Sequence, residues 1–168
     1  MVCSHLHFDH TGYLDLFKKS KILVSKSEYN NVKQQYEESR IEQGYEACDV
    51  KQWFSQKMDW VLIGEEEPVQ KLFDGVSILN LGRGHAYGML GLLLETQENG
   101  NIILAADVIY CRKNTENYDS RQLAYIDKKA YDDSYDLLMH LAKEYDAQIW
   151  FGHDMKQVED IMKQKVYL

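Results

Sequence analysis

The sequence predicts an α/β (α+β) chain built as a sandwich of short strands and helices, on three observations. Short apolar runs alternate along the chain with stretches whose apolar residues recur every three or four positions. The period changes at Asp59 from that of helices to that of strands. No internal repeat, low-complexity tract or linker divides the 168 residues, and Pro68 is the only proline. A chain of this length is the size of one domain and buries roughly 70% of its unfolded surface on folding. One domain over residues 1–168 is therefore expected, with a helical insertion at about 27–57.

The elements follow in order. Tyr13 to Lys18 reads as a short helix and Lys21 to Ser25, carrying Ile22, Leu23 and Val24, as a buried strand. Ser27 is a candidate cap for a helix running towards Gly44, with Tyr29, Val32 and Tyr36 on one side and Glu37, Glu38, Arg40 and Glu42 on the wetter one. Asp49 to Lys57 is a second amphipathic stretch, with Val50, Trp53 and Phe54. Trp60 to Ile63, Val69 to Phe73 and Val76 to Leu81, the last two joined at Asp74-Gly75, read as a meander. Met89 to Thr96 and Asn101 to Ala106 form another strand pair across Glu98-Asn99-Gly100. Lys128 to Tyr145 is an amphipathic helix, Gln148 to Phe151 a strand, and a final helix capped by Asp154 runs to about Lys165.

Composition excludes several classes. Apolar residues at 45% and charged residues at 27% fit a globular chain rather than a disordered or fibrous one. The longest apolar run, Met89 to Leu94, falls far short of the ~20 residues that span a bilayer, and Met1 starts no signal peptide, so no membrane partner is expected. A net charge of -8 opposes docking on a phosphate backbone, which argues against nucleic acid as a partner. Cys3, Cys48 and Cys111 are odd in number and lack CxxC spacing. They read as free thiols in a cytoplasmic protein, with Cys3 a small buried hydrophobe.

Three of the six histidines fall in the first ten residues, in Ser4-His5-Leu6-His7-Phe8-Asp9-His10. In an extended segment His5 and His7 share one side, and a following turn swings Asp9 and His10 elsewhere, so one short segment can serve two metals. Imidazole suits zinc and similar first-row ions, and an added carboxylate suits a catalytic site with an exchangeable water. His85 in Gly82-Arg83-Gly84-His85, Asp107 after Ile102 to Ala106, and His153 after Trp150-Phe151-Gly152 each follow a strand, where functional groups gather in α/β architectures. His140, inside a helical repeat, reads as a surface or core histidine. The aromatic residues from Tyr29 to Phe54 read first as core, and second as a lining for an apolar chain.

This ordered series resembles the metal ligands of the metallo-β-lactamase superfamily. Within it the likeness is strongest to N-acyl homoserine lactonases, the quorum-quenching hydrolases. It rests on Ser-His-Leu-His-Phe-Asp-His, a tyrosine three residues after Asp107, namely Tyr110, and the closing Phe-Gly-His-Asp. The flavo-diiron branch has a glutamate where His7 stands. The resemblance implies one divalent transition metal, zinc by preference, on His5, His7 and His85, and a second on Asp9, His10 and His153, with Asp107 bridging. Such a pair lowers the pKa of a shared water. Tyr110 is then a donor to the oxyanion of a lactone or ester substrate and Asp9 the proton donor to the leaving alkoxide. Arg83 replaces the family's usual proline before Gly-His, and Met89 a frequent second histidine.

The resemblance also implies a partial αββα sandwich, because the histidine motif normally follows several strands of a first sheet. An uncovered edge and apolar face then favour a homo-oligomer, most simply a dimer. Three rival readings stand beside the lactonase: a glyoxalase II-like thioesterase, a non-catalytic metal-binding remnant that folds as an oligomer, and, last because of the charge, a nuclease.

Overall fold

The strand-forming runs pair into two sheets. A computed structural model describes residues 1–121 and 124–163. Strands β1 (Lys21–Ser25) and β2 (Asp59–Ile63) make a two-stranded parallel sheet, joined through α2 (Lys26–Glu37) and α3 (Ala47–Ser55); α1 is the short turn Phe8–Thr11 ahead of them. Strands β3 (Val69–Phe73), β4 (Val76–Gly82), β5 (Met89–Thr96), β6 (Gly100–Leu104) and β7 (Ala147–Trp150) make a second sheet in that order. It is antiparallel except where β7 joins β6 in parallel after the crossover helix α4 (Lys128–Glu144). Helix α5 (Met155–Lys163) follows, its Gln157 N–H donating to the Asp154 carboxylate at 2.9 Å as the sequence predicts. Residues 164–165 of that expected helix lie outside the described residues.

Three expectations are corrected. The strand at 60–63 does not open a meander, since it pairs with β1, Lys21 opposite Asp59 through Ser25 opposite Ile63. Parallel pairing needs a long crossover, which α2 and α3 supply, and nothing in the strand's own pattern distinguishes that partner from the next strand in sequence. The helix expected to reach Gly44 stops at Glu37, because Ser39 turns into the left-handed region at φ 55°. The segment at Tyr13–Lys18 is a 3₁₀ turn, Leu14–Phe17, rather than an α-helix.

Two apolar clusters hold the sheets. Helix α4 turns Tyr131, Tyr135 and Leu138 onto Leu79, Leu81, Leu93 and Ile103 of the larger sheet. The spacing of four and three is the stripe the sequence shows, and each such side chain contributes about 1.5–3 kcal/mol by leaving water. Leu6, Leu14, Ile22, Val24, Val32, Val50 and Trp53 form the second cluster. Tyr29, Tyr36 and Phe54 pack against it, with Tyr36 stacked on Phe54 at 5.3 Å, so the aromatic segment is core. Cys3 is buried there, and burial pushes its thiol up to about 11. All three cysteines are free thiols.

The first residues are tied down from two sides. Leu23 N–H donates to Met1 O and Cys3 N–H to Leu23 O, both at 2.9 Å, while Leu90 N–H of β5 donates to Ser4 O at 2.8 Å. The segment ahead of the histidines thus lies between the sheets, anchored by the chain itself. Across the larger sheet, on the face away from α4, Leu92, Leu104 and Trp150 stand in one register row. With Met1, Val2 and Leu90 they border an apolar groove of about 390 Å³. No helix among the described residues is long and apolar enough to cross a membrane.

Leu138 is fully buried under the sheet and His140, two residues on, is exposed beside Glu144. Leu138→Ala is expected to lower unfolding free energy by ~2–5 kcal/mol, and His140→Ala to stay within about 0.5 kcal/mol, read by urea denaturation.

Candidate metal centre

Four chain segments meet at one end of the two sheets. His5 and His7 sit on the extended stretch after the anchored start, and α1 then carries Asp9 and His10, whose ring comes to 4.3 Å from that of His5. Thr11 Oγ1 fixes that turn, donating to His7 O at 2.8 Å. His85 comes from the loop between β4 and β5, and Asp107 from the 3₁₀ turn Ala106–Val108 just after β6. His153 follows β7, with its N–H on Tyr110 O at 2.8 Å. The parallel pairing of β6 and β7 therefore aligns two of the strand-end groups.

The candidate ligand side chains gather in two groups, His5 with His7 and His85, and Asp9 with His10, Asp107 and His153. Within each, the potential ligand atoms lie within 4.8 Å of one another. Asp107 reaches both groups, with Oδ1 3.1 Å from His10 Nε2 and Oδ2 3.2 Å from His153 Nε2 and 3.4 Å from His85 Nε2. His85 Nδ1 faces the Ala124 carbonyl at 2.8 Å. A carbonyl only accepts, so Nδ1 carries the proton and Nε2 is the free base. That Nε2 lies 3.1 Å from His7 Nδ1. His5 is wholly buried, and its Nε2 has no hydrogen-bond partner among the described residues. Such an orphaned base normally costs about 1–3 kcal/mol, and a cation would satisfy it. The donor set, imidazoles with two carboxylates, fits a first-row divalent ion at each group.

Electrostatics agree with that fit. Burial pushes His7 down to about 4, aided by the neighbouring His85, and pushes His5 down as well, so both are the neutral imidazoles that metals require. Burial also works against His10, but the hydrogen bond and charge of Asp107 outweigh it and raise its pKa. For Asp107 burial opposes ionisation, and the surrounding imidazoles still hold its carboxyl below the usual range. Tyr110 has its hydroxyl 3.5 Å from His85 Nδ1. Burial, then Asp107 and Asp9, push that phenol above its ordinary pKa, which keeps it a proton donor at neutral pH.

Sequence reading does not single out three supporting features. Gly44 adopts φ 97°, and a Cβ there would lie 2.8 Å from His7 Nε2, so only glycine leaves room for that ring. Tyr45 packs edge-on against the same ring at 4.9 Å. Glu28 is fully buried and bonded to the backbone on either side of the centre. Its available signal is a carboxylate four residues before Val32, on the apolar stripe of α2. A cleft of about 500 Å³ opens on the centre, lined by His7, Asp9, His85, Asp107 and Tyr110 together with Phe8, Tyr125 and Ile126.

No family model matches the chain. It is 29% identical over 163 residues to the N-acyl homoserine lactonase AiiB of Rhizobium rhizogenes, across 97% of this chain and 59% of that protein. To an N-acyl homoserine lactonase of Bacillus thuringiensis it is 30% identical over 158 residues, 94% of this chain and 56% of that protein. It superposes with a TM-score of 0.77 and 28% identity on an N-acyl homoserine lactone hydrolase with N-hexanoyl-L-homoserine at its catalytic metal centre, covering 95% of this chain and 57% of that one. A Thermotoga maritima structure described as a putative metallo-β-lactamase shares the fold at 20% identity and a TM-score of 0.62. The chain thus carries part of the metallo-β-lactamase fold and spans less than three-fifths of the curated lactonases it matches.

Because His7 titrates lower in the folded than in the unfolded chain, the unfolded state alone takes up its proton between about pH 6.5 and 4. That contribution to stability is present above 6.5 and is lost as pH falls towards 4. In chelator-treated protein the urea midpoint should drop across this window, and drop less steeply in His7→Asn.

Proposed function

We propose that the chain is the metal-binding part of a hydrolase that opens lactones or similar esters, with N-acyl homoserine lactones as the leading substrate class. The observation that carries this reading is the convergence of the two ligand groups on Asp107 at the floor of a cleft whose wall includes the Tyr110 hydroxyl. The likeness to the lactonases, over nearly the whole of this chain, supports it. His5, His7 and His85 would hold one divalent ion, and Asp9, His10 and His153 the other, with Asp107 between them. When bound, such ions supply Lewis acidity and bring the pKa of water towards neutrality.

The chain's own residues would do the rest. Tyr110, kept protonated by its surroundings, donates a hydrogen bond to the oxygen on which charge develops as the carbonyl becomes tetrahedral. Asp9, about 40% exposed at the cleft, would take up the proton released as water adds to the carbonyl and pass it to the departing alkoxide. Phe8, Tyr125 and Ile126 offer apolar surface for an acyl chain. Zinc is the proposed metal because imidazoles dominate the ligand set. Three free thiols favour the cytoplasm as its location. A homodimer that covers the Leu92, Leu104 and Trp150 row is the proposed assembly, and sedimentation equilibrium tests it.

Remetallated protein should contain two zinc ions per chain by elemental analysis, and Asp107→Ala should lose at least one. With lactone and thioester substrates assayed side by side, lactone turnover should dominate. Tyr110→Phe should lower it by about one to three orders of magnitude at unchanged metal content. Stoichiometric metal without turnover of either substrate would sink the hydrolase assignment for these 168 residues.

A further inference from the structure

We propose that Glu28, which belongs to neither ligand group, is the positioning residue of the first metal site. Its carboxylate clamps the His5–His7 segment to the His85 loop, so that the three imidazoles stand at ligand spacing before an ion arrives. The inference rests on the two-metal reading above.

Glu28 is the third residue of α2 and is fully buried. Its Oε1 accepts from Leu6 N–H at 2.9 Å and from the Tyr45 hydroxyl at 3.0 Å. Its Oε2 accepts from Tyr87 N–H at 2.9 Å and Gly88 N–H at 3.2 Å. Leu6 stands between His5 and His7, and Tyr87 and Gly88 lie two and three residues after His85. One carboxylate therefore fixes the backbone of all three ligands of one group. Through Tyr45 it also fixes the ring that packs edge-on against His7. None of the four bonds reaches Asp9, His10, Asp107 or His153.

The residue type follows from the donors. Four of them converge on two oxygens, and only an ionised carboxylate accepts at every one of those sites while donating nothing. Burial pushes the Glu28 carboxyl up to about 7, and the four donors, with the helix dipole at the first turn of α2, act against that shift. The loop must also come very close. A Cβ on Gly88 would lie 3.0 Å from Glu28 N and strike the Ser25 side chain, so the His85 loop is seated on the start of α2. Glutamine, although the same shape, would turn an NH₂ towards two of the four donors and break the clamp on one side.

The test compares wild type, Glu28→Gln and Tyr45→Phe. Zinc affinity is read by competition with a chromophoric chelator, and coordination by cobalt(II) absorption. Glu28→Gln should weaken one of two sites by about 10–100-fold, with loss of that site's share of the cobalt spectrum, and leave the other within twofold. Tyr45→Phe, which spares the three backbone bonds, should weaken the same site severalfold, and it decides the matter if Glu28→Gln does not fold. Equal weakening of both sites, or of neither, in a variant with wild-type circular dichroism overturns the proposal. In metal-free protein the histidine ring resonances of His5, His7 and His85 should shift in Glu28→Gln while that of His153 stays. If wild type takes up fewer than two zinc ions, the two-metal reading fails, and these ring resonances still decide the clamp: unchanged rings refute it.

Discussion

The buried carboxylate of Asp107 is the interaction on which the geometry of the centre turns. It is only 2% exposed and has three imidazole nitrogens within 3.4 Å, from His10, His85 and His153. An anion so far from water is sustained only by partners close enough to offset its lost hydration. Those partners come from the first, second and fourth of the segments that meet here. The two sheets, the crossover through α4 and the anchoring of residues 1–4 between β1 and β5 all act to deliver them to one point.

That requirement explains why the candidate ligands stand at strand ends. Asp107 and His153 follow adjacent parallel strands, so their relative height is set by the β6–β7 register, Leu104 opposite Trp150. Parallel strands end on the same side, and the groups beyond them gather without further instruction. His85 follows β4, which runs in the same direction as β6 and β7 but is separated from β6 by β5, so its loop needs a separate fixing. The Ala124 carbonyl supplies it for the ring, and Ser134, whose hydroxyl donates to Arg83 O at 2.9 Å, for the loop. Arg83 lies 5.5 Å from the Tyr87 ring centroid, a contact that stiffens the same loop.

The two apolar faces of the larger sheet differ in a way that bears on assembly. One is closed by α4 and its tyrosines, while the row at Leu92, Leu104 and Trp150 is only half-buried. The groove there touches His10 at its inner end. The proposed homodimer, by covering this row, would also cover the groove that His10 borders.

The sequence alone determined the α/β class, the strand runs of the larger sheet, the crossover helix and the seven histidines and aspartates that cluster as candidate ligands. These are local signals: apolar period, turn residues, and an imidazole and carboxylate spacing too dense for packing. Even so, it paired residues 59–63 with the wrong neighbour, because a strand's own pattern does not encode which strand lies beside it. Tertiary structure decided that parallel pairing, the end of α2 at Glu37, and the inward burial of Glu28. It also decided which imidazole nitrogens are free, through contacts such as His85 with Ala124, 39 residues apart. The physical reason is the same throughout. Chain direction and residue type fix what each segment can do, while hydrogen-bond partners distant in sequence fix where its polar atoms are satisfied.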